Sequence, residues 1–400
     1  MMALGVILPY RVLLLLFGFV LPIDIISTLS PETLDLIRYG LALLVVLRSK
    51  DMRGHLKFRT VSWVAGLLLI AGLVGLVKAL ISSSSFETYL IAVISVLVAM
   101  FVAKSATNIS QILTGFSFGM VASALDIIAQ ASGLPHLGEN SEYGIRISGF
   151  SFNSTTAAPF LAVAICVLVL RRNSSDGHKA SKWSWIIRGA SVVVLASGLL
   201  LSGGRGGIAG LALALSVVGL SGLRRRPLLA AILMISATVL VVLNRTTIVN
   251  FLTQNRTTHG FTSGRDVLNQ QAFDAFWSGG IFGLDTNTRL SLNPHTPILG
   301  FALDSGVIGL SVMLTLVTLN LWFIVGKNPG FPLEHRAIAT VSFVTSLLEP
   351  TGFYVGLSKI MVFMIIASEW DRARHEGGTS SPPGGTLIGT RPSTSAPTTQ

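Results

Sequence analysis

Apolar runs of bilayer length recur along most of this chain, and no other feature narrows its fold so far. A hydrocarbon core needs about 20 apolar residues per spanning helix, and lipid leaves a spanning backbone only helices or closed barrels. Candidate spans fall at 5–24, 32–48, 61–80, 88–104, 107–130, 155–170, 184–201, 205–222, 227–243, 297–325, 336–352 and 354–369. Only 12% of the residues are charged and mean hydropathy is +0.70, whereas a soluble domain carries about 25% charged residues. The expected fold is all-α: a polytopic membrane protein with about twelve transmembrane helices and one long extracytoplasmic loop containing short helices.

The spans divide the chain into helices 1–9 over 1–243, the loop at 244–296, helices 10–12 over 297–369, and a tail at 370–400. That tail is rich in Ser, Thr, Pro and Gly, a composition that predicts disorder and a cytoplasmic extension. The first run, "VLLLLFGFVLPIDII", lacks a small-residue cleavage site after it and reads as a retained span. The single cysteine, Cys166, lies inside an apolar run, so neither a disulfide framework nor a cysteine metal site is expected. The net charge of +11 is distributed as membrane topology and anionic headgroups require, and no nucleic-acid partner is expected.

Basic connections set the orientation, because Lys and Arg accumulate in cytoplasmic loops. "RSKDMRGHLKFR", "RRNSSDGHKASK", "RRR" and "GKNPGFPLEHR" follow spans 2, 6, 8 and 10. The alternate connections are acidic or neutral. Both termini are therefore expected in the cytoplasm of a cell whose inner, cytoplasmic membrane holds the protein. The opposite face then collects the segment 131–154, the turn 202–205, the loop 244–296 and the turn 348–353. A loop beyond about 15 residues inside a compact domain usually carries function, and this one is roughly three times that length.

Arginines and one histidine converge on that face. Arg205 opens span 8 in "LLLSGGRGGIAG", where helix amides and a guanidinium together suit a phosphate. Helix packing is the other reading of the same stretch, since Gly206 and Gly210 form a small-xxx-small pair. Packing accounts for the glycines but not for an arginine at the membrane edge. Arg265 begins "SGRDVLNQQAFDAFWSGGIFG", whose apolar residues from Val267 to Trp277 predict an amphipathic helix on the membrane surface. A solvated or headgroup-bound Arg265 stands beside that reading. Arg289, after Asp285, lies further along the loop. Arg146 precedes "SGFSFNSTTAAPF", in which Asn153 and its neighbours offer many hydrogen bonds; a juxtamembrane anchor is the alternative.

His295 sits in "NPHTPILGFALDSGVIGL", with its backbone confined by Pro294 and Pro297. An unperturbed histidine titrates near pH 6.5, which suits a general base for a sugar hydroxyl. A solvated interfacial histidine fits the same residues. No second histidine stands three or four residues away, and carboxylates are sparse, so no metal is expected. The glycines around Arg205 lack a following Lys-Ser/Thr, and no strand–helix alternation surrounds them, which excludes a P-loop and a dinucleotide fold. Serine-nucleophile motifs are absent.

Taken together, these stretches resemble the O-antigen ligase and O-antigen polymerase superfamily of bacterial integral-membrane enzymes. His295, Thr296 and Gly306-Val307-Ile308-Gly309 reproduce the ligases' spacing of His, a polar residue, nine residues and Gly-x-x-Gly, with Thr296 where Asn, Ser or Gln is usual. "SGGRGG" resembles the family's Ser-Arg-Gly-Gly-like turn, with Arg205 as its arginine. "SGRDVLNQQAF" resembles the start of the family's loop, with Arg265 in place and Leu268 one residue closer. Arg146, Gly149 and Asn153 match an Arg-x-x-Gly…Asn entry to a span. The likeness covers roughly 140–315, and the earlier spans by topology.

The resemblance implies inverting, metal-independent glycan transfer from a polyprenyl-diphosphate-linked donor to an acceptor hydroxyl on a glycan, lipid or wall component. It assigns His295 as base and Arg205 and Arg265 to the diphosphate, with Arg146 and Asn153 as further substrate contacts and no cofactor; Arg289 stands as a substrate contact on its place in the loop alone. Polymerisation of lipid-linked repeats is the alternative within the family. A transporter or lipid flippase is the alternative outside it, and would be favoured if Asp126 and Lys359 met at mid-depth in one cavity.

Overall fold

The computed structural model describes residues 8–49, 59–82, 86–105, 109–138, 147–151, 154–171, 182–223, 265–284, 288, 292, 296–328, 330–349 and 354–379. Among them the regular structure is helical. In chain order the helices are α1 (Tyr10–Val20), α2 (Pro31–Arg48), α3 (Arg59–Ser82), α4 (Phe86–Ser105), α5 (Ile109–Ala131), α6 (Ser154–Leu170), α7 (Lys182–Ser202), α8 (Arg205–Leu223), α9 (Arg265–Ser278), α10 (Pro297–Val325), α11 (Leu333–Leu348) and α12 (Leu357–Thr379). Five of these, α3, α4, α5, α7 and α10, are long and apolar enough to cross a bilayer, and α1, α6 and α8 are shorter apolar helices. The chain is a multi-pass membrane protein. The expected span at 227–243, most of the loop and the residues beyond 379 lie outside the described residues.

Hydrogen bonds between helix ends sort the turns into two groups. At the end here called lower, Ser49 Oγ donates to Ser105 O at 2.7 Å, the Asp371 carboxylate accepts from Thr60 N at 2.9 Å, and Arg188 donates to Arg171 O at 3.2 Å. The Arg336 guanidinium donates to the carbonyls of Ile324, Gly326 and Asn328, each at 3.0 Å, closing the C-terminus of α10 with a cation. At the upper end, Asp24 N and Ile25 N donate to Phe150 O, and Ser27 N to Leu137 O. The helices whose ends these bonds place thus alternate in direction.

The exposed surface of the bundle is apolar, with Leu36, Leu47 and Ile81 at 70%, 65% and 80% exposure. Trp63, Trp183, Trp185 and Trp322 are all exposed near the lower end, the belt that amphipathic rings form at a membrane interface. Inside, packing relies on close backbone approach and a few polar contacts. A Cβ on Gly115 would lie 2.1 Å from Leu15 O, and one on Gly18 2.1 Å from Ile112 O, so α1 and α5 touch backbone to backbone. Asn320 of α10 contacts Ser342 of α11 at 2.9 Å and Tyr354 at 3.3 Å; such polar contacts contribute about 0.6–2 kcal/mol in lipid. Replacing Gly115 with leucine forces α1 away from α5. The expected cost is about 1–3 kcal/mol or more, read as a lowered unfolding temperature in detergent.

Candidate functional site

The upper end carries the starts of α8 and α10. Its first part is the hairpin joining α7 to α8. Gly203 adopts φ +63°, a left-handed turn residue, and Arg205 is the first residue of α8, half-buried. The glycines that follow do pack: a Cβ on Gly207 would sit 2.4 Å from Ala158 C, and one on Gly210 3.3 Å from Val341 Cα. The packing reading of the stretch therefore holds for these glycines, while Arg205 stands at the helix start beside them.

The first turn of α8 also meets a carboxylate. Glu349, 2% exposed at the C-terminus of α11, accepts from Gly206 N at 3.3 Å. A carboxylate is favourable at a helix N-terminus, so Glu349 takes part of the positive end expected to face a phosphate. Sequence reading assigned Glu349 no partner, because 143 residues separate it from Gly206.

The second part is the junction of α9 with α10. Ala272 and Phe276 of α9 are buried with Leu284, Ala302 and Leu303. Val267, Phe273 and Trp277 are exposed. The apolar residues of α9 thus fall on two sides, one docked on α10 and one outward. Arg265 is the first residue of α9.

The glycine motif in α10 marks a break rather than successive turns of one helix. Ser305 has φ −133° and Gly306 φ +60°, so the helical ladder stops there and its backbone groups need new partners. The chain after α9 supplies them. Leu284 N donates to Leu303 O at 2.9 Å, and Val307 N donates to Ile281 O at 3.1 Å. Lys78 Nζ donates to Asp304 O at 2.6 Å, and Ser305 Oγ to Ala71 O at 3.3 Å. The segment 281–284 is therefore wedged into the break and fixes α9 against α10.

At the start of α10, Thr296 is the N-cap, its hydroxyl accepting from Leu299 N at 3.4 Å with Pro297 following. The departure from Asn, Ser or Gln thus preserves a capping oxygen. His295, Arg289, Arg146 and Asn153 lie outside the described residues. Their described neighbours lie at the upper end: Thr296 caps α10, and Phe150, between Arg146 and Asn153, donates its N–H to Ser123 Oγ at 3.1 Å.

Two cavities open at this end. One, of about 380 Å3, is lined by Asp24, Asp35, Arg38, Tyr39, Thr156 and Lys359 among others. Arg38 pairs with Asp24 and Asp35, each at 2.8 Å. The other, of about 320 Å3, is mainly apolar, with Leu68, Ala71, Ala92, Phe301 and Ile360 in its walls. Asp126 does not line the cavity that Lys359 lines. It accepts instead from Leu137 N at 2.7 Å and Gly138 N at 3.1 Å, holding a loop. The condition that favoured transport is not met. No protein-family profile and no curated protein matches this chain.

Proposed function

We propose that this protein transfers a glycan from a polyprenyl-diphosphate-linked donor to an acceptor hydroxyl at the outer face of the cytoplasmic membrane, in the manner of an O-antigen ligase. The observation that carries the reading is the wedged junction at the upper end. It docks α9 on α10 at the end of the bundle that also holds the Thr296 cap and the α7–α8 hairpin, and Arg265, His295 and Arg205 belong to these segments by sequence. In this reading the chain crosses the membrane about twelve times, the upper end faces outward and both termini are cytoplasmic.

The arginines bind the diphosphate and stabilise the charge that grows on it as the glycosidic bond breaks. His295 takes the proton of the acceptor hydroxyl, and attack from the opposite face inverts the anomeric carbon. Arg146, Asn153 and Arg289 supply contacts to the glycan. Guanidinium groups serve where other transferases use a metal.

Purified protein in detergent, given a polyprenyl-diphosphate-linked glycan and no nucleotide sugar, is expected to release polyprenyl diphosphate when an acceptor is added. Unchanged donor across the acceptor classes, glycan, lipid and wall fragments, overturns the reading. In cells lacking the protein, long unattached chains indicate ligation, and accumulated single lipid-linked repeats indicate polymerisation.

A further inference from the structure

The wedge that seats α9 on α10 turns large apolar side chains outward, with Ile281 63% and Phe282 61% exposed. Its neighbour in α10 decides what lies outside them. Val307 N donates to Ile281 O at 3.1 Å, so these two residues stand at one level of the bundle. Val307, Leu314 and Leu321 are all exposed, and their spacing of two helical turns puts them on one stripe of α10. In a multi-pass membrane protein that stripe faces lipid, and Ile281 adjoins its upper end.

The depth of the contact follows from the tryptophan belt. Trp322 is exposed near the lower end of α10, where such rings mark the headgroup level. From Val307 to Trp322 the helix rises about 22 Å, at about 1.5 Å per residue. A hydrocarbon core of about 30 Å therefore reaches about 8 Å beyond Val307, and any tilt of α10 brings Val307 deeper still. Irregular backbone at such a depth needs partners within the protein. The wedge has them: Ile281 O accepts from Val307 N, Leu284 N donates to Leu303 O at 2.9 Å, and Gly279 N donates to Phe276 O at 3.1 Å.

The rows of α9 mark the same boundary, since residues four apart share one row. Ala272 and Phe276 are docked. Phe273 and Trp277 form the next row, in edge contact at 5.9 Å. Gln270, Asp274 and Ser278 form an exposed polar row beyond it, with Gln270 donating to Asp274 at 2.9 Å. The aromatic row thus lies between the docked side and the polar one.

We infer that the chain from Trp277 to Leu284 is a re-entrant dip into the leaflet at the upper end. The Trp277 ring lies at the headgroup level, and the Ile281 and Phe282 side chains lie in the acyl region beside Val307. The partner is the lipid surface itself, and the dip holds the junction of α9 with α10 at a fixed depth. The sequence places lipid contact along α9; the dip moves it to the chain after α9. It belongs to the fold rather than to the proposed transfer, and it is measured without turnover.

The test is nitroxide labelling of the full chain in phosphatidylcholine bilayers at Phe282→Cys, with Gln270→Cys as the reference on the polar row. Both positions are exposed, whereas the native Cys166 is fully buried, and the wild-type chain reports any label it takes. Molecular oxygen concentrates in hydrocarbon and a nickel chelate in water. Oxygen is therefore expected to relax the label at 282 more than the chelate does, with the order reversed at 270. Ile281→Cys is expected to follow 282, and gives the reading if Phe282→Cys unfolds. A label at the tip relaxed mainly by the chelate puts the tip in water. One reached by neither agent puts it under another segment of this chain or a second copy. Either result overturns the dip.

Discussion

Replacing His295 with alanine is expected to lower glycan transfer by about 10²–10⁴-fold, the contribution of a positioned general base, while the protein stays folded in the membrane. The loss should fall on kcat, because the imidazole acts on the acceptor proton as the bond forms and holds little of the donor. Arg205→Ala is expected to lower transfer by about 10²–10³-fold, the cost of one electrostatic contact to developing charge, and to raise KM for the donor as well. Arg205→Lys should recover only part, since an ammonium keeps the charge but loses the guanidinium fork that matches a phosphate. The capping oxygen of α10 comes from Thr296, the residue after His295, and Arg205 is half-buried at a helix start beside packed glycines, so the unfolding temperature of each variant is measured alongside transfer. Near-full transfer by either alanine variant in the purified assay would remove that residue from the mechanism and return it to the solvated or packing alternative.

Helix positions were largely legible, because a bilayer imposes a length and a composition that local sequence must satisfy. The run at 107–130 became Ile109–Ala131, and the run at 297–325 became Pro297–Val325. Hydropathy failed where polar residues continue a helix. The run expected to end at 369 belongs to a helix that extends to Thr379, continuing through "EWDRARHE". Asp371 in that continuation caps the start of α3 through Thr60 N and Val61 N, a contact across 310 residues that no local pattern announces.

The candidate site divides the same way. Arg205 at a helix start and Thr296 beside a helix start were readable, since caps and glycine turns are local. The carboxylate of Glu349 at α8 was not, nor was the cavity lined by Asp24, Arg38 and Lys359, because both arise from residues far apart in the chain. The break in α10 is an intermediate case. Asp304, Ser305 and Gly306 interrupt an apolar run, a visible signal of irregular backbone, but the chain that satisfies the break comes from a different segment.

That break makes Gly306 the most demanding backbone position described at the upper end. Its φ of +60° disfavours any side chain, and a Cβ there would lie 2.0 Å from Ile281 O. Gly306→Val therefore adds a β-branched residue in a left-handed conformation and pushes out the segment 281–284. The bonds Leu284 N to Leu303 O and Val307 N to Ile281 O are expected to be lost, and α9 comes away from α10. Misplacement of about 1 Å at a reacting centre can cost about 10²-fold in rate, so transfer is expected to fall at least that far. Because the lost contacts lie at the upper end, the bundle beneath should retain its unfolding temperature to within a few degrees. Protease cleavage between α9 and α10 should rise. Gly300→Ala supplies the control, since a Cβ there meets nothing within 4 Å and transfer should be unchanged. A Gly306→Val protein with wild-type transfer and unchanged proteolysis would mean that the wedge does not organise the site, and that the spacing from His295 to Gly306 has another cause.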